Sequence, residues 1–355
     1  MNLILYLNPN KLPSTYNGPY NKYPFTQIVN RVIPNKYEPF NVKSVLVNPL
    51  DIYNSSYYTF EECVSKSVER FENTNKPLYV KYSGGTDSTL ALLSLWNFGS
   101  QDLKDRLHLI LSVDSIKEFP ELFPFIKENF KNKIFYSTNP IKPLLNKGII
   151  ITGEFGDQLY GSSMMKKIID SSNYNDTRIL NLPWYEVIPN FIQKNIHSKS
   201  KKNTFKMIED FYPTLEKHPN FSKNISAAEF LWWWNFTHKA QHVLYRDMVF
   251  EKFDPIKYNS DYKSFFYTNE FQNWSMNTEI YDKFGKSDKW SDYKKTAKDM
   301  ISHFSGIENH KFRIKVSSRT KIAKYYKDNK ISLNFAIDEN WNYILKKNLK
   351  KYIRL

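Results

Sequence analysis

The chain has 355 residues, 41% of them hydrophobic and 17% aromatic, with one cysteine and a formal net charge of +15. That length and apolar content suit two domains or one large one with a sizeable core, and argue against a disordered chain. The lone Cys63 also excludes a multi-cysteine metal site and any relay needing two thiols, and a reducing compartment is the plain expectation.

Residues 1–57 carry prolines at 9, 13, 19, 24, 34, 39 and 49, and read as irregular structure with short strands and no chemistry. The opening "MNLILYLNPNK" has no basic residue ahead of its apolar run and no small-residue cleavage site after it. The longest apolar stretches, "GIII" (148–151) and "FLWWWNF" (230–236), fall short of a membrane span. The expectation is a soluble, cytoplasmic protein with no membrane partner, in which the sequons at Asn54 and Asn235 carry nothing.

At Thr59 the pattern changes. Thr59–Glu62 forms a T-x-x-E capping box, and Phe60, Val64, Val68 and Phe71 share one helical face with Cys63 beside them. Cys63 is read as a packed thiol. "LYVKY" (78–82) is a short apolar strand, "SGGTDS" (83–88) a loop, and "STLALLSLWNFG" (88–99) a leucine-rich helix closed by Gly99. "RLHLILSV" (106–113), "KIFYS" (133–137) and "GIIIT" (148–152) are further strands, with a helix at "FPFIKENF" (123–130). Strands alternating with helices predict an α/β fold, a parallel twisted sheet with helices on both faces.

Beyond Gly161 the strand signals fade. Prolines punctuate 170–225, and a capping box at Ser226–Glu229 opens a long helix predicted over 226–248, its three tryptophans in the core. The expected organisation is an irregular segment at 1–57, an α/β core at 58–169, a mainly helical substrate-side region at 170–310 and a basic segment at 311–355. That last segment holds 13 Lys and Arg against three acids, which suits either a polyanionic partner such as nucleic acid or a solvated surface. "ISLNFAI" and "WNYIL" within it point to a folded element rather than a free arm. His238 and His242 lie i, i+4, but "HKAQH" lacks the glutamate of a zinc-protease helix, and both are read as partly exposed. "KSKK" (199–202) is read as a solvated loop.

Two of only ten glycines stand together in "SGGTDS", between a buried strand and a helix. Glycines let successive N–H groups approach a ligand, and the helix N-terminus adds its positive dipole end. Ser83 and Ser88 can donate to phosphate oxygens. Asp87 would repel a bare phosphate, so its presence suggests a bridging Mg²⁺. The ordinary alternative is a strand–helix turn with Asp and Ser as caps. There is no G-K-[ST], so the loop is not a Walker A.

The loop resembles the S-G-G-x-D-S loop of the N-type ATP pyrophosphatases, or PP-loop enzymes. "TGEFGDQLYGS" (152–162) is similar to the S-G-E-G-[SA]-D-E-L-F-G-G segment of asparagine synthetases, with Gly153, Glu154, Asp157, Leu159 and Gly161 matching. Phe155, Gly156, Gln158 and Ser162 depart, and Tyr160 is a mild change. Fainter similarity runs through "YRDMVFEKFDPIKY" (245–258), "KWSDYKK" (289–295) and "FRIKVSS" (312–318). The resemblance implies an adenine-nucleotide α-hydrolase-like sheet that binds ATP and Mg²⁺. Ser83, Gly84, Gly85, Thr86, Asp87, Ser88 and Gly153 would hold the pyrophosphate, and the backbone at Leu111 and Val113 would meet adenine. Asp87 and Asp157 would bind Mg²⁺, Glu154 would orient or deprotonate an amine, and Lys315 would stabilise the acyl-adenylate.

The implied activity is AMP-forming amide-bond synthesis from a small-molecule carboxylate and an amine or ammonia. Glutamine-dependent members of the family carry a cysteine at residue 2 in a glutaminase domain, whereas residue 2 is Asn here and about 57 residues cannot hold that domain. Nitrogen would come from free ammonia, an amine on the substrate or a partner. Adenylation of tRNA or other nucleic acid, and a non-catalytic nucleotide-binding module, are the alternatives.

Overall fold

The computed structural model describes residues 56–111, 113–136, 144–161, 163–172, 177–195, 211–218, 225–240, 260–284 and 289–312, with shorter pieces elsewhere that include 31–32, 50–51, 335–337 and 343–345. Ser112, His242, Lys315, the "KSKK" loop and nearly all of 245–258 lie outside them. The chain divides into two interleaved units. One comprises Val64–Gly153, Ile256–Phe266 and Thr296–Leu355; the other comprises Met1–Cys63, Glu154–Pro255 and Tyr267–Lys295.

Helix α1 (Phe60–Glu72) starts as its capping box requires. The Glu62 amide donates to Thr59 Oγ1 at 3.2 Å and the Thr59 amide to Glu62 Oε2 at 2.7 Å. The Thr59 donors hold the Glu62 carboxyl below its usual range. Cys63 is fully buried, and burial pushes its thiol up to about 12, the state of an inert packed cysteine.

The first unit holds the sheet. Strands β1 (Leu78–Lys81), β2 (Leu107–Leu111), β3 (Ile134–Tyr136), β4 (Ile149–Thr152) and β5 (Tyr262–Ser264) pair in the order β3-β2-β1-β4-β5. Every pairing is parallel, with Lys81 opposite both Ile110 and Thr152. Parallel strands need crossovers, which α2 (Thr86–Phe98), α3 (Gln101–Arg106), α4 (Val113–Glu118) and α5 (Phe123–Asn129) supply. The continuous apolar runs of β1, β2 and β4 reflect burial on both faces; all four residues of β4 are buried. The architecture is α/β, as the alternation predicts.

The fifth strand comes from a stretch read as helical. "YKS" lacks an apolar run, but its segment is fixed three ways: the Phe265 amide donates to Thr152 O at 2.9 Å, Ser67 Oγ to Phe265 O at 2.6 Å, and Arg70 Nη2 to Ser264 O at 2.6 Å. Lys76 adds an ion pair to Asp261 at 2.8 Å.

The second unit is helical. It contains α6 (Gly156–Tyr160), α7 (Ser163–Ser171), α8 (Trp184–Asn195), α9 (Ala227–His238), α10 (Asn269–Asn277) and α11 (Ile280–Phe284). The Ser226–Glu229 capping box forms, but α9 is interrupted by a bend at Lys239 rather than running unbroken to residue 248. Eleven of its twelve residues are buried, so it is the unit's central rod rather than an amphipathic surface helix. Trp233 Nε1 donates to Thr214 O at 2.7 Å and Trp232 Nε1 to Ser275 Oγ at 3.0 Å, satisfying indoles that burial would otherwise leave orphaned. His238 is buried, not partly exposed: its Nδ1 lies 2.7 Å from Thr237 Oγ1.

Helix α12 (Lys295–Ser305) follows, and in the basic segment β6 (Phe335–Ile337) and β7 (Tyr343–Leu345) pair antiparallel. Among the described residues no helix is long and apolar enough to cross a membrane.

Candidate functional site

The sheet reverses its direction of growth at β1: β2 and β3 are added on one side, β4 and β5 on the other. Ligands of open α/β sheets bind outside the carboxyl ends of the strands at this switch point. The loop 83–88 follows β1, and Gly153 ends the neighbouring β4, so both stand at it.

Gly84 has φ +75, and a Cβ there would lie 2.3 Å from Ser115 O and 2.7 Å from Glu118 Cβ. The packing of α4 against the loop therefore demands glycine. Gly85 is different: its backbone is extended, and an added Cβ would meet only Ser83 Oγ at 3.5 Å. Among the described residues nothing else crowds that position. A Cβ on Gly153 would lie 2.7 Å from the Ser88 amide nitrogen and 2.9 Å from Asp87 C, so the end of β4 runs directly against the first turn of α2.

The serines close the loop on itself. Ser88 Oγ accepts from the Ser83 amide at 3.1 Å and donates to Gly85 O at 3.1 Å. It also lies 2.9 Å from Ser83 Oγ. With the Ser88 proton on Gly85 O, Ser83 must be the donor of that last bond. Ser88 is 3% exposed and fully used in holding the turn; Ser83 is the exposed hydroxyl. Thr86 and Asp87 are half-buried in the first turn of α2, whose N-cap Gly85 supplies no side-chain hydrogen bond. As N-cap of this thirteen-residue helix, Gly85 offers no side-chain oxygen to its first amides, a helix start of the kind that suits an anion. Leu111 is buried at the end of β2, and Val113 opens α4.

The second motif turns immediately after Gly153. Glu154 is half-buried, and Phe155 adopts φ +74 as the N-cap of α6. The family pattern has glycine at that position. Here the left-handed turn, which costs a residue with a Cβ about 1–2 kcal/mol, carries a phenylalanine that is 1% exposed. Arg31 holds it: the guanidinium carbon lies 5.7 Å from the Phe155 ring centroid, 5.7 Å from Phe236 and 5.4 Å from Tyr267. Arg31 also donates to Gln272 Oε1, and burial lowers its pKa.

Gln158, where the asparagine-synthetase pattern has glutamate, is 2% exposed and donates from Nε2 to Asn235 Oδ1 at 3.2 Å. Asn235 Nδ2 in turn donates to Asp157 O at 3.2 Å and to Gly161 O, and Ser275 Oγ donates to Leu159 O at 2.7 Å. The Phe155 and Gln158 departures therefore face the packed interior of the helical unit.

Asp157 is 35% exposed, and its Oδ1 accepts from Lys294 Nζ at 2.6 Å; the lysine side chain is 2% exposed. Sequence reasoning missed Lys294, Arg31 and Asn235. Lys294 lies inside "KWSDYKK", but nothing in its spacing separates it from the other cations. Among the described residues no three His, Cys, Asp or Glu side chains cluster as a metal cage. Mg²⁺ is commonly held by one or two carboxylates with the rest of its shell from phosphates and water, so the half-buried Asp87 in the first turn of α2 is a carboxylate of the kind such an ion takes.

No protein-family model matches the chain, and no curated protein is significantly similar to it.

Proposed function

We propose that the protein is an AMP-forming carbon–nitrogen ligase that binds the pyrophosphate of Mg-ATP on residues 83–88, on an adenine-nucleotide α-hydrolase-like sheet, in the cytoplasm. One observation carries the reading: at the switch point stands a glycine, Gly85, that packing against the described residues does not require, next to one, Gly84, that it does. A glycine kept where there is room for a side chain is accounted for by close approach of a ligand.

In this reading the Gly85, Thr86 and Asp87 amides bind the pyrophosphate oxygens, joined by the Ser83 hydroxyl once its proton turns from Ser88 Oγ to the ligand. Ser88 and Gly153 keep that turn closed. Asp87 supplies a carboxylate to magnesium, which when bound neutralises the phosphates; Asp157 is the second carboxylate the resemblance assigns to it. A substrate carboxylate oxygen attacks the α-phosphorus, the bond to the bridging oxygen breaks and pyrophosphate leaves. An amine nitrogen then attacks the acyl carbon, the bond to the AMP oxygen breaks, and Glu154 takes the proton released by the amine. Adenine would lie along the backbone at Leu111 and Val113. The role given to Lys315 falls outside the described residues.

The excess charge of residues 311–355 favours one second reading, in which the adenylated acceptor is nucleic acid.

The test is release of AMP and pyrophosphate from Mg-ATP, with a small-molecule extract and a nucleic-acid fraction assayed separately. We expect AMP with the small-molecule pool and a loss of about a hundredfold or more in Asp87→Ala. AMP with nucleic acid alone moves the assignment to the second reading. ATP binding without turnover under either condition leaves a nucleotide-binding module, and ADP with an indifferent Asp87 variant removes the reading altogether.

A further inference from the structure

Lys81 closes β1, the central strand of the sheet, two residues ahead of Ser83. By register it stands between Ile110 and Thr152, in a row that continues to Ser264. Those three neighbours are 4%, 1% and 7% exposed, whereas Lys81 is only half-buried. The row behind it on the same face holds Tyr79 and Ile150, 5% and 0% exposed. A sheet face closed to either side and behind leaves a long side chain one way to keep its ammonium wet, past the ends of the strands. Residues 83–88 begin there.

In the stretches that close β1 and β4, residues 81–88 and 152–153, Lys81 is the only Lys or Arg. A turn with no P-loop lysine offers a pyrophosphate amides and a helix start, whose dipole is equivalent to about half a unit charge. We propose that Lys81 is the cation that binds the pyrophosphate end of the nucleotide, supplied by the strand rather than by the loop. The proposal rests on the ATP-pyrophosphatase reading and names the group that meets the leaving charge. When the bond between the α-phosphorus and the bridging oxygen breaks, its electron pair stays on that oxygen. The Lys81 ammonium stabilises the charge there without giving up a proton.

The experiment titrates inorganic pyrophosphate, with Mg²⁺ present, into the full-length protein and its variants by calorimetry. Lys81→Met should weaken binding about tenfold or more, the scale of losing one hydrogen bond to a charged group. Its urea midpoint should stay near that of the parent, since the apolar length of the side chain is kept. Lys81→Arg should recover most of the loss, because the charge is retained. Lys117→Met, a change on the adjoining helix α4, should bind as the parent does. Equal affinities in the parent and Lys81→Met overturn the proposal, as does a loss confined to Lys117→Met.

Should Lys81→Met fail to fold, the parent protein decides. Trace labelling with acetic anhydride, read by peptide mass spectrometry, compares Lys81 with Lys66, an exposed lysine of α1. Pyrophosphate and Mg²⁺ together should slow the labelling of Lys81 severalfold and leave Lys66 unchanged; an unprotected Lys81 in a protein that binds pyrophosphate overturns the proposal. Failure of the underlying reading looks different. It shows as no pyrophosphate or ATP binding in the parent and no effect of Gly85→Ala or Asp87→Ala, and it removes both.

Discussion

At the scale of single residues, the paired glycines separate two kinds of requirement that a sequence writes with the same letter. Gly84→Ala places a methyl 2.3 Å from Ser115 O at φ +75, so both the backbone and α4 must move. It should cost about 2–4 kcal/mol, the sum of a left-handed penalty and a buried clash. Gly85 has φ −77 and ψ 161, a conformation alanine adopts freely, with its nearest contact at 3.5 Å. Gly85→Ala should leave stability within about 1 kcal/mol, or raise it slightly by restricting the unfolded chain. On the proposed reading, in which a phosphate lies against Gly85, it should nevertheless weaken ATP binding severely. Urea unfolding and calorimetric ATP titration of both variants check this. A Gly85→Ala protein that folds and binds ATP normally would remove the phosphate from the loop.

Elements differ in how far their own residues define them. The capping boxes Thr59–Glu62 and Ser226–Glu229 are local, four-residue devices, and both form. The runs in β1, β2 and β4 were equally legible, because a strand buried on both faces has no other way to read. β5 was not: three residues, one apolar, become a strand only because β4 offers an open edge and α1 offers Ser67 and Arg70. In the site, Gly84, Gly85 and Asp87 could be found from a motif. Lys294 and Arg31 could not, since each acts on a turn distant in sequence and no periodicity announces it. The dependence of β4 on β5 has a consequence. A fragment of residues 58–169, a natural domain by sequence pattern, lacks β5 and leaves fully buried β4 as a raw edge. It should show no cooperative urea transition, while the same fragment co-expressed with residues 256–266 should gain one. Cooperative unfolding of 58–169 alone would show that β5 is an ornament on a self-sufficient sheet.

At the scale of the whole molecule, the helical unit hides titratable groups inside. His218 and His238 are 4% and 2% exposed, against the indoles of α9, and burial pushes each down to about 3. For His218 the nearby Lys283 ammonium adds to the effect. Lys283 itself is 1% exposed, sits 3.4 Å above the Trp232 ring, and is lowered well below its usual value by the same desolvation. All three act in one direction. A histidine near 6.5 when unfolded and near 3 when folded takes up its proton only on unfolding across that interval. Its stabilising contribution is therefore complete above pH 6.5 and is lost as pH falls toward 3. At pH 4 the loss is about 3 kcal/mol for each histidine, a large share of the roughly 5–15 kcal/mol that holds a typical domain. Lys283 adds a further slope in the same sense as pH drops below the ordinary lysine range. Urea midpoints should fall steadily from pH 7 to pH 4, with proton uptake on unfolding at pH 5 of about two from the histidines and any Lys283 share added to it. A profile flat over that range would mean that the two imidazoles are not neutral in the folded protein, and that the interior around α9 is wetter than its packing requires.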